Sequence, residues 1–192
     1  MLTTSKVYDA YSQAQKAVEE LERAGISSTD VSLIANKHVS DQYANVEEVS
    51  STETGAGVGA AVGGGVGLLA GLGLLAIPGL GPVVAAGWLA ATAVGALGGA
   101  MAGGVVGALM EAGIPEADAH VYSEAVRRGG TMVTVRYDDS RDAEVRAILS
   151  RWQPVDATER RGAYEKEGWK SFDANASAYK LNESEIERAR RL

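Results

Sequence analysis

Cysteine is absent from this chain, phenylalanine occurs once, histidine twice and proline four times among 192 residues. Without thiols there are no disulfides and no thiolate metal sites. The two histidines, His38 and His120, sit in no ligand-spacing motif, so no metal or other cofactor is expected. No Gly-Lys-Ser/Thr triplet occurs, which excludes a P-loop. "GLGLLA" at 71–76 matches the letters of a dinucleotide fingerprint, but position 91 is alanine where an acidic residue is required. Asp138 and Asp139 follow a strand pattern and precede Ser140, so they read as turn and capping residues, not as a catalytic pair. No catalytic constellation emerges, and the chain is expected not to be an enzyme.

Charge is missing in one place only. No Asp, Glu, Lys or Arg lies between Glu53 and Glu111. Residues 1–54 carry 4 basic and 9 acidic groups, 111–156 carry 6 and 9, and 157–192 carry 8 and 7, for a net charge of −7. An acidic chain with no basic patch is not expected to bind nucleic acid. The start, "MLTTSKVYDAYSQAQKAVEELERAG", is charged throughout and lacks the apolar core of a secretory signal. Synthesis and residence on the cytoplasmic side are expected.

What is present falls into five stretches. Residues 1–36 read as strand, helix, strand: "KVYDAY", then "SQAQKAVEELERAG" with Ser12 as N-cap and Gly25 at the C-terminal end, then "VSLIAN" at 31–36. Residues 37–54 are an acidic linker. Residues 55–113 hold the uncharged block. Residues 114–156 give a helix after Pro115, the strand "TMVTVRY" (131–137), the helix "SRDAEVRAILSRW" (140–152) and a short fourth strand at "QPVDA". Arg127 and Arg128 suit the negative end of the helix that begins at Pro115. Residues 157–192 form an arm with a terminal helix capped by Asn182 and Glu185. Here Trp169 and Phe172 are expected to dock on a neighbouring subunit.

The two outer stretches share one pattern. "VYDAYSQAQKAVEELERAGI" and "VRYDDSRDAEVRAILSRWQP" each give a strand, an Asp-containing turn, a serine and an amphipathic helix. Neither can bury a sheet face alone. Together they predict an α+β fold: a ferredoxin-like split domain of two βαβ units, interrupted by the uncharged block and followed by the partly helical arm.

The block has a glycine period of four. Gly55, Gly59, Gly63, Gly67 and Gly71 mark its first half; Gly87, Gly95, Gly99, Gly103 and Gly107, with Ala91 in step, mark the second. Residues four apart share a helical stripe, and small side chains there let backbones approach closely where apolar surroundings remove the hydrophobic drive. The block therefore predicts two glycine-zipper helices, 55–77 and 82–110, joined by a turn at Pro78, Gly79, Gly81 and Pro82. At about 1.5 Å per residue they would be roughly 34 and 43 Å long, against about 30 Å of bilayer core, with Trp88 at the far interface. Two readings stay open: hairpins inserted in or lying on a membrane, or hairpins burying one another in a protein-only homo-oligomer such as a ring, shell or filament.

"AIPGLGPVVAAGWLA", "GIPEADAHVYSEAVRRGGTMVTVRYDD" and "GWKSFDANASAY" together resemble a bacterial family, the general-stress or low-temperature-induced proteins with a central glycine-zipper segment. The resemblance spans most of residues 5–179; the acidic linker and the last dozen residues match it poorly. It implies a stress-associated protein without enzymatic activity, and it supplies no catalytic residues. The expected function is thus non-enzymatic: homo-oligomerisation through glycine-zipper hairpins, with association to membrane. A small-molecule sensor built on the ferredoxin-like domain is a weaker alternative, because no polar pocket is visible in the residues.

Overall fold

A computed structural model describes residues 1–36, 73–77, 80–89, 92, 104–176 and 179–190. The elements are β1 (Leu2–Tyr8), α1 (Tyr11–Arg23), β2 (Val31–Asn36), β3 (Gly73–Ile77), β4 (Gly81–Ala86), α2 (Gly104–Glu111), α3 (Glu116–Arg127), β5 (Thr131–Tyr137), α4 (Asp142–Arg151), α5 (Ala157–Lys166) and α6 (Glu183–Ala189). The fold is α+β, as the residue patterns predict.

One antiparallel sheet runs in the order β1-β5-β2-β4-β3. β5 lies between β1 and β2: Val133 faces Lys6 on one side and Leu33 on the other. Helices cover both faces. Alternation along each strand sends Tyr8, Leu33, Val133 and Val135 to the face under α1 and α4, with Leu21 and Leu149. The intervening residues Val7, Ile34, Met132 and Ala85 meet α2 and α3, with Leu109 and Val126. All six residues of β2 are buried, which is why "VSLIAN" shows no polar alternation.

Local chemistry places most ends. The cap of α1 lies two residues before the expected one. Ala10 occupies the N-cap, and Gln13 Oε1 accepts from its backbone N–H at 3.1 Å, so a glutamine three residues on replaces the expected Ser12, which is buried inside the helix. At the other end Gly25 takes φ +85° and Ile26 N–H reaches Leu21 O at 3.0 Å, a Schellman ending. Asp138 Oδ1 accepts from Ser140 N–H at 2.9 Å and Oγ–H at 2.7 Å. These two hydrogen bonds hold the Asp138 carboxyl below the usual range. β1 begins at Leu2, earlier than "KVYDAY", because Thr3, Thr4 and Ser5 join the ladder to β5.

Two expectations need correction. Residues 73–77 and 81–86 are strands, not the inner ends of two long helices. Val83 and Val84 are β-branched, and the outer edge of β2 needs a partner. β4 supplies it from Asn36↔Val83 to Leu33↔Ala86. Within the described residues the helix reading survives at Trp88, Leu89 and Thr92, where Thr92 Oγ1–H donates to Trp88 O at 2.9 Å, and at α2. Secondly, "QPVDA" is not a strand. Gln153 has φ +54° and Pro154 has no N–H, which leaves Val155 to make one ladder-like bond, its N–H to Val7 O at 2.7 Å. The acidic linker 37–54 lies outside the described residues.

Two tests follow. Gly87 has φ +90°, and a Cβ there would stand 2.2 Å from Val31 O, whereas Gly25 has a similar φ and open space. Gly25→Ala carries backbone strain alone, about 1–2 kcal/mol. Gly87→Ala adds steric overlap and should cost roughly twice that or more. Urea unfolding compares them, and equal losses would refute the close approach of β2 to Gly87. Tyr11 and Tyr122 are pushed up to about 12 by burial, Tyr122 also by Asp118 and Asp156; buried Tyr8, whose hydroxyl donates to Leu149 O at 2.8 Å, is raised further. The unfolded chain loses these protons near pH 10, before the folded one. Stability should therefore be insensitive to them below about pH 9 and fall between about pH 10 and 12. Tyrosinate absorbance should rise together with unfolding; ionisation of all seven tyrosines near pH 10 in the folded protein would be the opposite result.

Candidate functional site

Of the ten expected helix-packing glycines, Gly55, Gly59, Gly63, Gly67, Gly71, Gly95, Gly99 and Gly103 lie outside the described residues, as do His38 and the turn residues Pro78 and Gly79. Gly81 and Pro82 open β4 and are not in the turn. Gly87 is not on a helical stripe: it bends the chain after β4, tight against Val31 and Ser32. Gly107 lies in α2. Trp88 is no exposed interface anchor. It is half-buried, packs on the core under α2 and α3, and carries the Arg136 guanidinium 4.5 Å above its ring.

Three polar or unsaturated features remain. The first is the polar end of the sheet face that α2 and α3 cover. The register sets Ser5 opposite Thr134 and Thr134 opposite Ser32, with Arg136 in the next row. Ser5, Thr134 and Ser32 are buried, and bonds within the protein satisfy them: Ser5 Oγ to Thr134 Oγ1 at 2.8 Å, and Ser32 Oγ–H to Ala86 O at 2.8 Å. Arg136 donates to Thr29 O at 3.2 Å and to Asp30 Oδ1 at 3.1 Å. Its Nε and Trp88 Nε1 are enclosed without a hydrogen-bond partner; stacking of the guanidinium on the indole offsets part of that cost. This row is a polar seam of the fold, in which only Arg136 is partly open to solvent.

The second feature is a clamp on the end of α3. Glu124 is fully buried, and Arg127 and Arg128 meet its carboxylate at 3.0 and 2.7 Å. Arg128 also pairs with Glu167 and lies 4.2 Å from the Tyr164 ring centre and 5.3 Å from that of Tyr179. The two arginines thus do more than complement a helix dipole. They neutralise a buried acid and bind the arm to the domain. Further along, Phe172 is 7% exposed within the core of its own chain, and its N–H donates to His120 Nδ1 at 3.2 Å. Trp169 packs edge-on against Tyr164 at 5.6 Å. The expected docking of Trp169 and Phe172 on a neighbouring subunit is therefore corrected: both pack on their own chain, because α5 turns the arm back across α3. Asn182 caps α6 through the capping box with Glu185.

The third feature is the pair of sheet edges. Outside β1, Val155 donates to Val7 O, and Lys6 and the Arg160–Asp9 pair at 2.7 Å put charge nearby. Outside β3 no strand pairs among the described residues, and Gly73–Ile77 carries no charge. Nothing in the composition of β3 announces an edge; the one local signal is Pro78, directly after its last residue. Among the described residues no group of three or more His, Asp or Glu could hold a metal ion. No helix among them is long and apolar enough to cross a membrane.

Comparison with protein-family models, with curated proteins and with solved structures finds no match.

The clamp generates a test. Arg128→Met strips the Glu124 carboxylate of one counter-charge and removes the link to Glu167. Breaking a buried pair from one side costs about 3–5 kcal/mol. The variant should also expose Phe172 to chymotrypsin, and Glu124→Gln combined with Arg128→Met should recover part of the stability. Parental stability and no new cleavage at Phe172 would show that the arm is held elsewhere.

Proposed function

We propose that this is a non-enzymatic, self-assembling protein in which the α+β domain anchors the uncharged block and the block associates with that of other copies. The observation that carries this reading is the sheet's construction. The described part of the block after β2 returns as β3 and β4, pairs with β2, and places an uncharged strand outermost among the described residues. The polar side chains of the seam and the clamp are engaged chiefly with one another, and we assign association to the uncharged block. The resemblance to glycine-zipper stress proteins agrees with this reading, and a role during stress is part of the proposal.

We read the β1-β5-β2 core as a ferredoxin-like split βαβ arrangement. In support, α1 carries the chain from β1 to β2 with β5 inserted between them, and α4 carries it from β5 back to Val155 beside β1. Both α1 and α4 lie on one face, as that plan requires. β3 and β4 extend the sheet beyond β2, and α2 and α3 cover the face that such a domain leaves open.

The test is the molar mass of the full chain purified without detergent, by light scattering after size exclusion, together with flotation on anionic vesicles. Soluble particles of two or more copies are expected. A 19.9 kDa monomer at micromolar concentration that does not float would overturn the proposal. Aggregation-free protein recovered only with the vesicles would move the site of assembly to the membrane.

A further inference from the structure

From the way the arm is attached we infer that it is a strap: from α5 to α6 it lifts off the domain as one unit, and ionic strength sets how often it is lifted. This goes beyond self-assembly and does not depend on it.

The arm passes from one face of the sheet to the other. Phe172 enters the core under α2 and α3, and its N–H donates to His120 Nδ1 at 3.2 Å. Leu181 then lies over the turn between α3 and β5, so close to Gly129 that a Cβ there would stand 3.1 Å from it. Ala189 ends in the core under α1 and α4. The chain is fixed to the domain just before the arm begins, where Val155 N–H is bonded to Val7 O, and Asp156 then caps α5.

This attachment has little buried apolar contact. Among the described residues after Asp156, Tyr164, Phe172 and Ala189 alone are buried, whereas every residue of β2 is. Three ion pairs tie the arm down. Arg160 meets Asp9 at 2.7 Å, Arg161 meets Asp118 at 3.3 Å, and Glu167 meets Arg128. Each pair has one side chain more than a third exposed, so salt screens it, whereas salt does not weaken buried apolar contacts. A segment with few buried apolar contacts opens at a lower free energy than the whole fold. The arm therefore opens ahead of the sheet, and more often as salt rises. The pairing of Glu124 with Arg127 and Arg128 survives opening, because all three belong to α3 and its C-terminal cap. Opening bares the surface of α3 around His120 and frees Phe172.

Hydrogen exchange of the full chain, read by mass spectrometry, tests both halves of the inference. Between about 0.01 M and about 1 M salt the Debye length falls from about 30 to about 3 Å. Peptides from α5, from 167–176 and from α6 should share one protection factor, about tenfold or more below that of β2 and β5. That shared factor should fall about threefold to tenfold further across the salt range while β2 and β5 hold. Asp9→Asn combined with Arg161→Gln should open the arm at low salt and flatten its salt dependence, since two of the pairs that salt screens are gone. Phe172→Leu should open the arm and leave the salt dependence intact. Protection of β5 reports in each variant that the domain is folded, and the parent needs no substitution. An arm as protected as β5, or α6 open while α5 stays shut, would refute a single strap. Equal salt dependence in the parent and in the double variant would refute ionic control.

Discussion

Everything in this fold depends on β5 finding both its neighbours. Thr131–Tyr137 is hydrogen-bonded to β1 on one side and to β2 on the other, and more than ninety residues separate it from either. Until it pairs, β1 and β2 have no shared sheet and neither face has a core. Once it pairs, alternation of its residues divides the molecule: Val133 and Val135 go to the α1–α4 side and Met132 to the α2–α3 side. Such long-range pairing must overcome the entropy of closing the intervening chain, so it forms cooperatively with the two cores.

The side under α2 and α3 is the more heavily built. Its apolar row, Val7, Met132, Ile34 and Ala85, accepts the helices. Its polar rows are closed by hydroxyl pairs and by the stack of Arg136 on Trp88. The arm then crosses α3, held by Arg128 and by Phe172. Glu124 is the hinge of this arrangement, since a fully buried carboxylate is tolerable only while both arginines meet it. On this side the chain uses its polar chemistry to hold itself together.

Most of the glycine period lies outside the described residues. Of the two period glycines described, Gly107 lies within a helix, in keeping with its spacing, whereas Gly87 has φ +90° and serves a bend beside β2. Trp88 and Phe172 show a further limit of local pattern: a large apolar residue flanked by small or charged ones needs cover, but the sequence does not say whether its own chain or another supplies it.

Strong local signals were legible without a structure. "TMVTVRY" alternates and is a strand, "VSLIAN" is a strand buried on both faces, and Gly25 and the Asn182–Glu185 pair mark helix ends, because backbone conformation and capping are decided within a few residues. The α+β class follows from the repeated strand–helix pattern. Only tertiary structure could decide that Val83–Ala86 leaves the helical pattern to pair with β2, that Val155 makes a single bond beside β1, and that Arg127 and Arg128 serve Glu124 and the arm. Each of those outcomes depends on a partner far away in sequence, and the hydrogen bonds and charges that settle it exist only after the sheet has brought the two segments together.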